Sequence, residues 1–187
     1  TEGARTMVLM PGAAECARFL AAKGVPMAMV TRNCAATVRE FYRRLWVPEG
    51  LAHFAPAVSR DGVLTPGAEG RPSLAGLPAK PHPASLLEIA RLWGVPAGPE
   101  LLMVGDSPSN DVAFGRAAGV ATALLDSGWK YFEGGLGEHV PDHLVQNLDE
   151  LRELLEASYG FEERCVGSGL PNRRLITSLC CVTHSTS

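Results

Sequence analysis

Between Pro11 and Glu156 the apolar residues follow two alternating rhythms, stretches with a three-to-four-residue repeat and short uninterrupted runs. The first is the period of a helix with one buried stripe, the second that of a strand covered on both faces. Pro11 and Gly12 open a helix whose Ala13, Cys16, Ala17 and Leu20 share a face, and Gly24 stops it. The run from Pro26 to Val30 reads as a strand ending in Thr31-Arg32-Asn33, where Asn33 is placed to cap a second helix with the stripe Cys34, Val38, Phe41, Tyr42 and Leu45. A third strand is expected over Ala55 to Val58. From Arg60 to Ala79 a segment rich in Gly and Pro reads as a surface loop, with Asp61 a turn residue in it. Lys80-Pro81-His82-Pro83 leads into a helix carrying Leu86, Leu87, Ile89, Ala90 and Trp93, closed by Gly94. The strand from Leu101 to Val104 runs into Gly105-Asp106-Ser107-Pro108-Ser109-Asn110-Asp111, in which Ser107 can cap a helix with Pro108 at its first position. Gly119 stops that helix, Val120 to Leu125 form another strand, and Asn147-Leu148-Asp149-Glu150 has capping-box spacing for a last helix through about Glu156. Strands alternating with helices predict an α/β fold, a Rossmann-like parallel sheet with helices on both faces. The core is expected over 11–157. The tail 158–187 is polar, lacks a core pattern and is expected to be disordered.

The 187 residues, 46% hydrophobic and 20% charged, suffice for one domain with a full core. A net charge of -3 argues against nucleic acid as the partner, since a phosphate backbone asks for a basic face. No apolar run has the length of a membrane span, so no membrane association is expected. Cys16, Cys34, Cys165, Cys180 and Cys181 show no Cys-x-x-Cys spacing, which argues against a zinc knuckle or disulfide framework and points to a reducing, intracellular compartment.

The chemistry gathers at strand ends. In an open parallel sheet the ligand site lies beyond the carboxyl ends of the strands, and that edge receives Thr31, Lys80, Asp106 and Asp111. A hydroxyl with neighbouring N–H groups cradles phosphate oxygens, a lysine neutralises phosphate charge, and a carboxylate-held Mg2+ bridges protein and phosphate. Asn110 and Ser107 are expected to orient the carboxylates. Arg32 and His82 border the site, and Trp129, Lys130 and Tyr131 follow a strand at the same edge as candidates for substrate contact. His139 and His143 have the spacing of a metal pair on a helix, but Pro141 between them argues against that helix.

The order Val30-Thr31-Arg32-Asn33, Lys80-Pro81-His82-Pro83 and Gly105 to Asp111 resembles the second, third and fourth motifs of the haloacid dehalogenase superfamily, over roughly Met10 to Glu156. The nearest likeness is to its members with a small helical cap, the phosphoglycolate phosphatases and plant plastid proteins. The resemblance implies phosphate binding by Thr31, with Arg32 beside it, charge stabilisation by Lys80, and Mg2+ coordination by Asp106 and Asp111. The implied activity is hydrolysis of a small phosphorylated metabolite through an aspartyl-phosphate, in the cytoplasm or a plastid. The family's first motif, Asp-x-Asp, which supplies nucleophile and general acid, is absent: the aspartates are 61, 106, 111, 126, 142 and 149, and no two are separated by one residue. The expectation is therefore a chain lacking the central first strand and most of the cap, with 1–10 a remnant of the cap or a linker. The alternative is a non-catalytic protein that binds Mg2+ and phosphate, or a partner, without turnover. A response-regulator receiver is disfavoured because its acidic pair precedes its Thr and Lys. A dinucleotide-binding oxidoreductase is disfavoured because no Gly-x-Gly-x-x-Gly follows a strand.

Overall fold

The computed structural model describes residues 6–64, 76–159, 175–177 and 182–185, the last two stretches by their backbone. In chain order the elements are β1 (Thr6–Leu9), α1 (Ala13–Ala22), β2 (Met27–Val30), α2 (Ala35–Phe41), β3 (Ala57–Ser59), β4 (Gly62–Leu64), α3 (Ala84–Trp93), β5 (Leu101–Gly105), α4 (Ala113–Ala118), β6 (Ala121–Leu125), β7 (His143–Val145), α5 (Leu148–Tyr159), β8 (Leu175–Thr177) and β9 (Val182–Ser185). Seven strands make the main sheet in the order β4-β3-β2-β8-β5-β6-β7. Every neighbouring pair is parallel except β3 and β4, which form an antiparallel hairpin. β1 pairs with β9 in a separate antiparallel ladder.

Strand alternation divides the core between the two faces of this sheet. On β5, Leu102 and Val104 face a cluster with Ala13, Cys16 and Leu20 of α1, Val38 and Phe41 of α2, and Leu148, Leu151 and Leu155 of α5. Leu101 and Met103 face the opposite cluster, with Leu86 and Ile89 of α3 and Phe114 of α4. The helix stripes read from the sequence are thus the buried ones, each fully enclosed Leu or Ile contributing roughly 1.5–3 kcal/mol relative to exposure. Cys34, Leu45 and Trp93 are only partly buried, and the full exception is Leu87. It is 46% exposed on the solvent side of α3.

Five local expectations change. Arg60 and Asp61, expected to begin a long loop, are the two-residue turn of the β3–β4 hairpin, and Gly62 directly after it takes a φ of 127°, which a glycine adopts without strain. The rest of that loop over 65–75 lies outside the described residues. Asn33 does not cap α2: the N-cap is Cys34, and the Ala35 N–H is taken by Asp61 from the hairpin at 2.7 Å. A short edge strand, β7, follows the glycine-rich loop because Asp142 anchors it, accepting the Thr122 N–H at 2.8 Å and its hydroxyl at 2.7 Å. In the capping box, the Glu150 N–H is accepted by Asn147 Oδ1 at 2.8 Å as expected, whereas the Glu150 carboxylate reaches back to the Gln146 N–H at 2.8 Å.

The fifth change is the largest. The tail expected to lack structure supplies β8, which takes the middle place of the main sheet, between β2 and β5. Leu175 and Ile176 are apolar, Ile176 and Thr177 are β-branched, and parallel pairing on both sides satisfies the backbone of the segment. The central place is therefore held by a strand from the end of the chain. β1, within the stretch 1–10 expected to be a remnant of the cap or a linker, lies outside the main sheet. Among the described residues, no helix is long and apolar enough to cross a membrane.

Candidate functional site

β2 and β5 end at the same edge, and their next residues carry the chemistry. Thr31 follows β2 and Asp106 follows β5. The register Val30–Val58 and the bond from the Thr31 N–H to Val58 O at 2.9 Å fix where Thr31 emerges. Its Oγ1 accepts the Asn33 N–H at 3.1 Å, which closes the loop into a tight turn. With an acceptor lone pair so occupied, the hydroxyl hydrogen is directed elsewhere and can donate to an anion.

The acidic motif folds on Asp111. This residue lies in a single π-helical turn, Pro108–Val112, that leads into α4, and it is 5% exposed. Asp111 Oδ2 accepts the N–H groups of Asp106 and Ser107, each at 3.1 Å, so it satisfies donors at the helix start that would otherwise lack partners. The Ser107 side chain makes no cap bond to the helix backbone, although Ser107 holds the N-cap place expected of it. Ser107 Oγ instead accepts the Asn110 Nδ2–H at 2.9 Å, bracing the loop across its mouth. Gly105 is required by close approach, because a Cβ there would fall inside the Asp111 side chain.

Lys80 links the two strand ends. From the start of the α3 segment its Nζ donates to Val30 O at 3.1 Å and to Asp111 Oδ1 at 2.6 Å, and it stands 6.0 Å from the centre of the buried Phe114 ring. The side chains of this ion pair are 11% and 7% exposed. An ammonium has three donors, so two such bonds leave one for a ligand. Arg32 is exposed and its guanidinium lies 3.5 Å from Asn110 Oδ1, bringing a second positive charge across the gap between the strands.

Asp106 is the open carboxylate of the site. Its side chain reaches solvent, yet partial burial and then the charge of Asp111 push its carboxyl above the usual carboxylate range, with Lys80 opposing that shift. A cation reverses the first two effects. Mg2+ is commonly held by one or two carboxylates with several waters and a substrate phosphate, and Asp106 with Asp111 behind it fits such a partial donor set. A fuller cage is not offered: among the described residues no group of three or more His, Cys, Asp or Glu side chains is arranged to hold a metal. His143 lies in β7 and His139 in the turn before it, so the helix that would align them as a metal pair does not form.

The six aspartates of the sequence hold separate places. Asp61 binds the start of α2, Asp111 braces the acidic loop, and Asp142 clamps β6 to β7. Asp126, 2% exposed, accepts the N–H groups of Lys130 at 2.8 Å and Tyr131 at 2.9 Å. Asp149 pairs with Arg152 at 3.6 Å on the outside of α5. Asp106 alone faces the strand edge with an open carboxylate.

Thr31, Arg32, Lys80, Asp106 and Asp111 are therefore gathered at one edge. His82 is used locally, its Nδ1 accepting the Ala84 N–H at 3.3 Å at the start of α3. Trp129 and Phe132 form an exposed edge-to-face pair, centroids 5.0 Å apart, on the loop after β6. The clamps made by Asp61 and Asp126 were not read from the sequence. Asp-Gly at the hairpin and the place of Asp126 directly after the apolar run ending at Leu125 were the available signals.

The family model described as haloacid dehalogenase-like hydrolase matches residues 2–119. A haloacid dehalogenase-like hydrolase domain-containing protein of Arabidopsis thaliana is 31% identical over 160 residues, covering 84% of this chain and 57% of its own length. Phosphoglycolate phosphatase of Escherichia coli is 29% identical over 143 residues, covering 76% of this chain and 49% of that protein. The chain thus spans about half the length of these curated relatives. Among solved structures, a putative phosphoglycolate phosphatase from Lactobacillus delbrueckii superposes with a TM-score of 0.59 at 21% identity, over 78% of this chain and 52% of that one, a likeness of fold.

Proposed function

Because this chain belongs to the haloacid dehalogenase-like hydrolases, we propose that its strand-edge site binds the phosphate group of a small phosphorylated metabolite together with Mg2+. The observation that carries the reading is Lys80, held at 2.6 Å from Asp111 and 3.1 Å from Val30 O, where it ties the Thr31 loop to the acidic loop. Thr31 donates its hydroxyl to one phosphate oxygen. Lys80 and Arg32 neutralise charge on the others, and Asp111 keeps Lys80 aimed. Asp106 presents its carboxylate to the cation, and Mg2+ bound there would supply charge neutralisation of the phosphate.

Turnover through an aspartyl-phosphate requires an aspartate beside the bound phosphorus and a second acid two residues on. No aspartate of this sequence meets that spacing, and five of the six are engaged in clamps or pairs. The strand in the central place, Leu175–Thr177, carries no carboxylate. These facts favour binding without turnover by the chain as it stands. Hydrolysis of a phosphorylated metabolite would follow where such a nucleophile is supplied.

The test is phosphorus NMR titration of inorganic phosphate against the purified chain with Mg2+ present. Thr31→Val, which keeps volume and removes the hydroxyl, is expected to weaken binding about tenfold. Equal affinity of the two proteins would overturn the assignment of Thr31, and hydrolysis of an aryl phosphate by the purified chain that is abolished in Asp106→Asn would overturn the account of turnover.

A further inference from the structure

The loop that carries Thr31 is held from outside. The hairpin of β3 and β4 touches it at every second residue: the Thr31 N–H donates to Val58 O at 2.9 Å, Asn33 O accepts the Arg60 N–H at 2.9 Å, and the Ala35 N–H donates to Asp61 Oδ2 at 2.7 Å. The turn is itself locked, since the buried Ser59 hydroxyl donates to Gly62 O at 3.0 Å and accepts the Asp61 N–H at 3.2 Å. These bonds fix the Asp61 backbone, so the carboxylate reaches Ala35 from a rigid support. The contact spans 26 residues of sequence, and the N-cap residue of α2 makes no side-chain cap bond of its own.

The geometry points to Asp61 as a positioning residue for phosphate binding. Its bond to Ala35 fixes the far end of the Thr31 loop while β3 fixes the near end, so the Thr31 hydroxyl is aimed before ligand arrives. An anion site built on a preorganised loop loses less freedom on binding than one that must order first. The negative charge of Asp61 is partly offset by Arg60, whose Nε lies 3.9 Å from Oδ1. The recruitment of Asp61 beside the Thr31 loop is explained by the acceptor it supplies at 2.7 Å, which a neutral amide oxygen could equally provide. The inference rests on the phosphate-binding role proposed for Thr31.

Two substitutions separate geometry from charge. Asp61→Asn keeps an acceptor for the Ala35 N–H, and Asp61→Ala removes it. Amide hydrogen exchange of the full chain is the first readout: in Asp61→Ala the amides of Thr31, Asn33 and Ala35 are expected to exchange roughly tenfold faster, with those of β5 unchanged. Inorganic phosphate affinity with Mg2+ present is the second, expected to fall about fivefold to tenfold in Asp61→Ala and less than about twofold in Asp61→Asn. Unchanged exchange in the loop, or equal losses of affinity in the two variants, would overturn the inference. Should Asp61→Ala fail to fold, Asp61→Asn with both readouts at wild-type values supports the geometric role, and loss of affinity there overturns it. If the wild-type chain does not bind phosphate, the functional reading fails, while the exchange comparison still decides whether Asp61 sets the loop.

Discussion

Removing the ammonium of Lys80 should unfold more than a surface contact would. In Lys80→Met the apolar stem is kept over Phe114, but Asp111, 5% exposed, loses the partner that sits 2.6 Å from its Oδ1. Breaking one side of a buried ion pair destabilises by about 3–5 kcal/mol, because a buried charge is left uncompensated. Here the N–H groups of Asp106 and Ser107 still hold the other oxygen, each at 3.1 Å, so the lower end, about 3 kcal/mol, is expected. For a chain of this size that lowers Tm by roughly 6–12 °C. Urea unfolding of wild type, Lys80→Met, Asp111→Asn and the double variant closes a cycle, with an expected coupling energy of about 1–3 kcal/mol. A coupling below about 0.5 kcal/mol would refute the reasoning, since the two groups would then act independently.

Three other outcomes follow from the same contacts. Since the Asp106 carboxyl is raised in the folded state, its ionised form opposes folding above the unfolded pKa, an effect relieved as pH falls through the folded value. Asp106→Asn should therefore raise Tm at neutral pH without metal and abolish stabilisation by Mg2+; a variant still stabilised by Mg2+ would remove Asp106 from the cation site. For Asp142, burial alone would raise the carboxyl, but the bonds from Thr122 hold it below the usual range. Its stabilisation is present above the unfolded pKa and lost as pH falls through the folded one, so the Tm gap between wild type and Asp142→Ala should be full at neutral pH and close below about pH 4; a gap independent of pH would contradict this. Burial pushes the Cys16 thiol up to about 11, while the hydrogen bond with Thr37 lowers that of Cys34. Peptide mapping after brief iodoacetamide treatment should find Cys34 labelled and Cys16 untouched until urea is added, and equal labelling in the native protein would be the contrary result.

What the sequence made legible was what periodicity and punctuation encode. The stripe of α1 and the positions of Gly94 and Gly119 at helix ends emerge as expected, because one local rule decides each of them. The edge that unites Thr31, Lys80 and Asp106 was readable because a parallel sheet collects its strand ends on one side. The less legible features depend on partners distant in sequence. The cap of α2 comes from Asp61, since Asn33 faces the hairpin and its carbonyl is used there. The final strand of the main sheet to appear in the chain fills its centre, and Leu175-Ile176-Thr177 in a polar tail gives no local sign of that. Asp111 was read as a ligand of the cation. Its burial, with three hydrogen bonds received, makes it first a brace for Lys80 and the loop.

The central claim is one site that binds phosphate and Mg2+ together, and calorimetric titration of Mg2+ with and without saturating inorganic phosphate tests it most directly. Each ligand should strengthen the other by the same factor, about fivefold or more, and the coupling should vanish in Asp106→Asn. Affinities for Mg2+ that are equal with and without phosphate would mean that the two do not meet at the ends of β2 and β5.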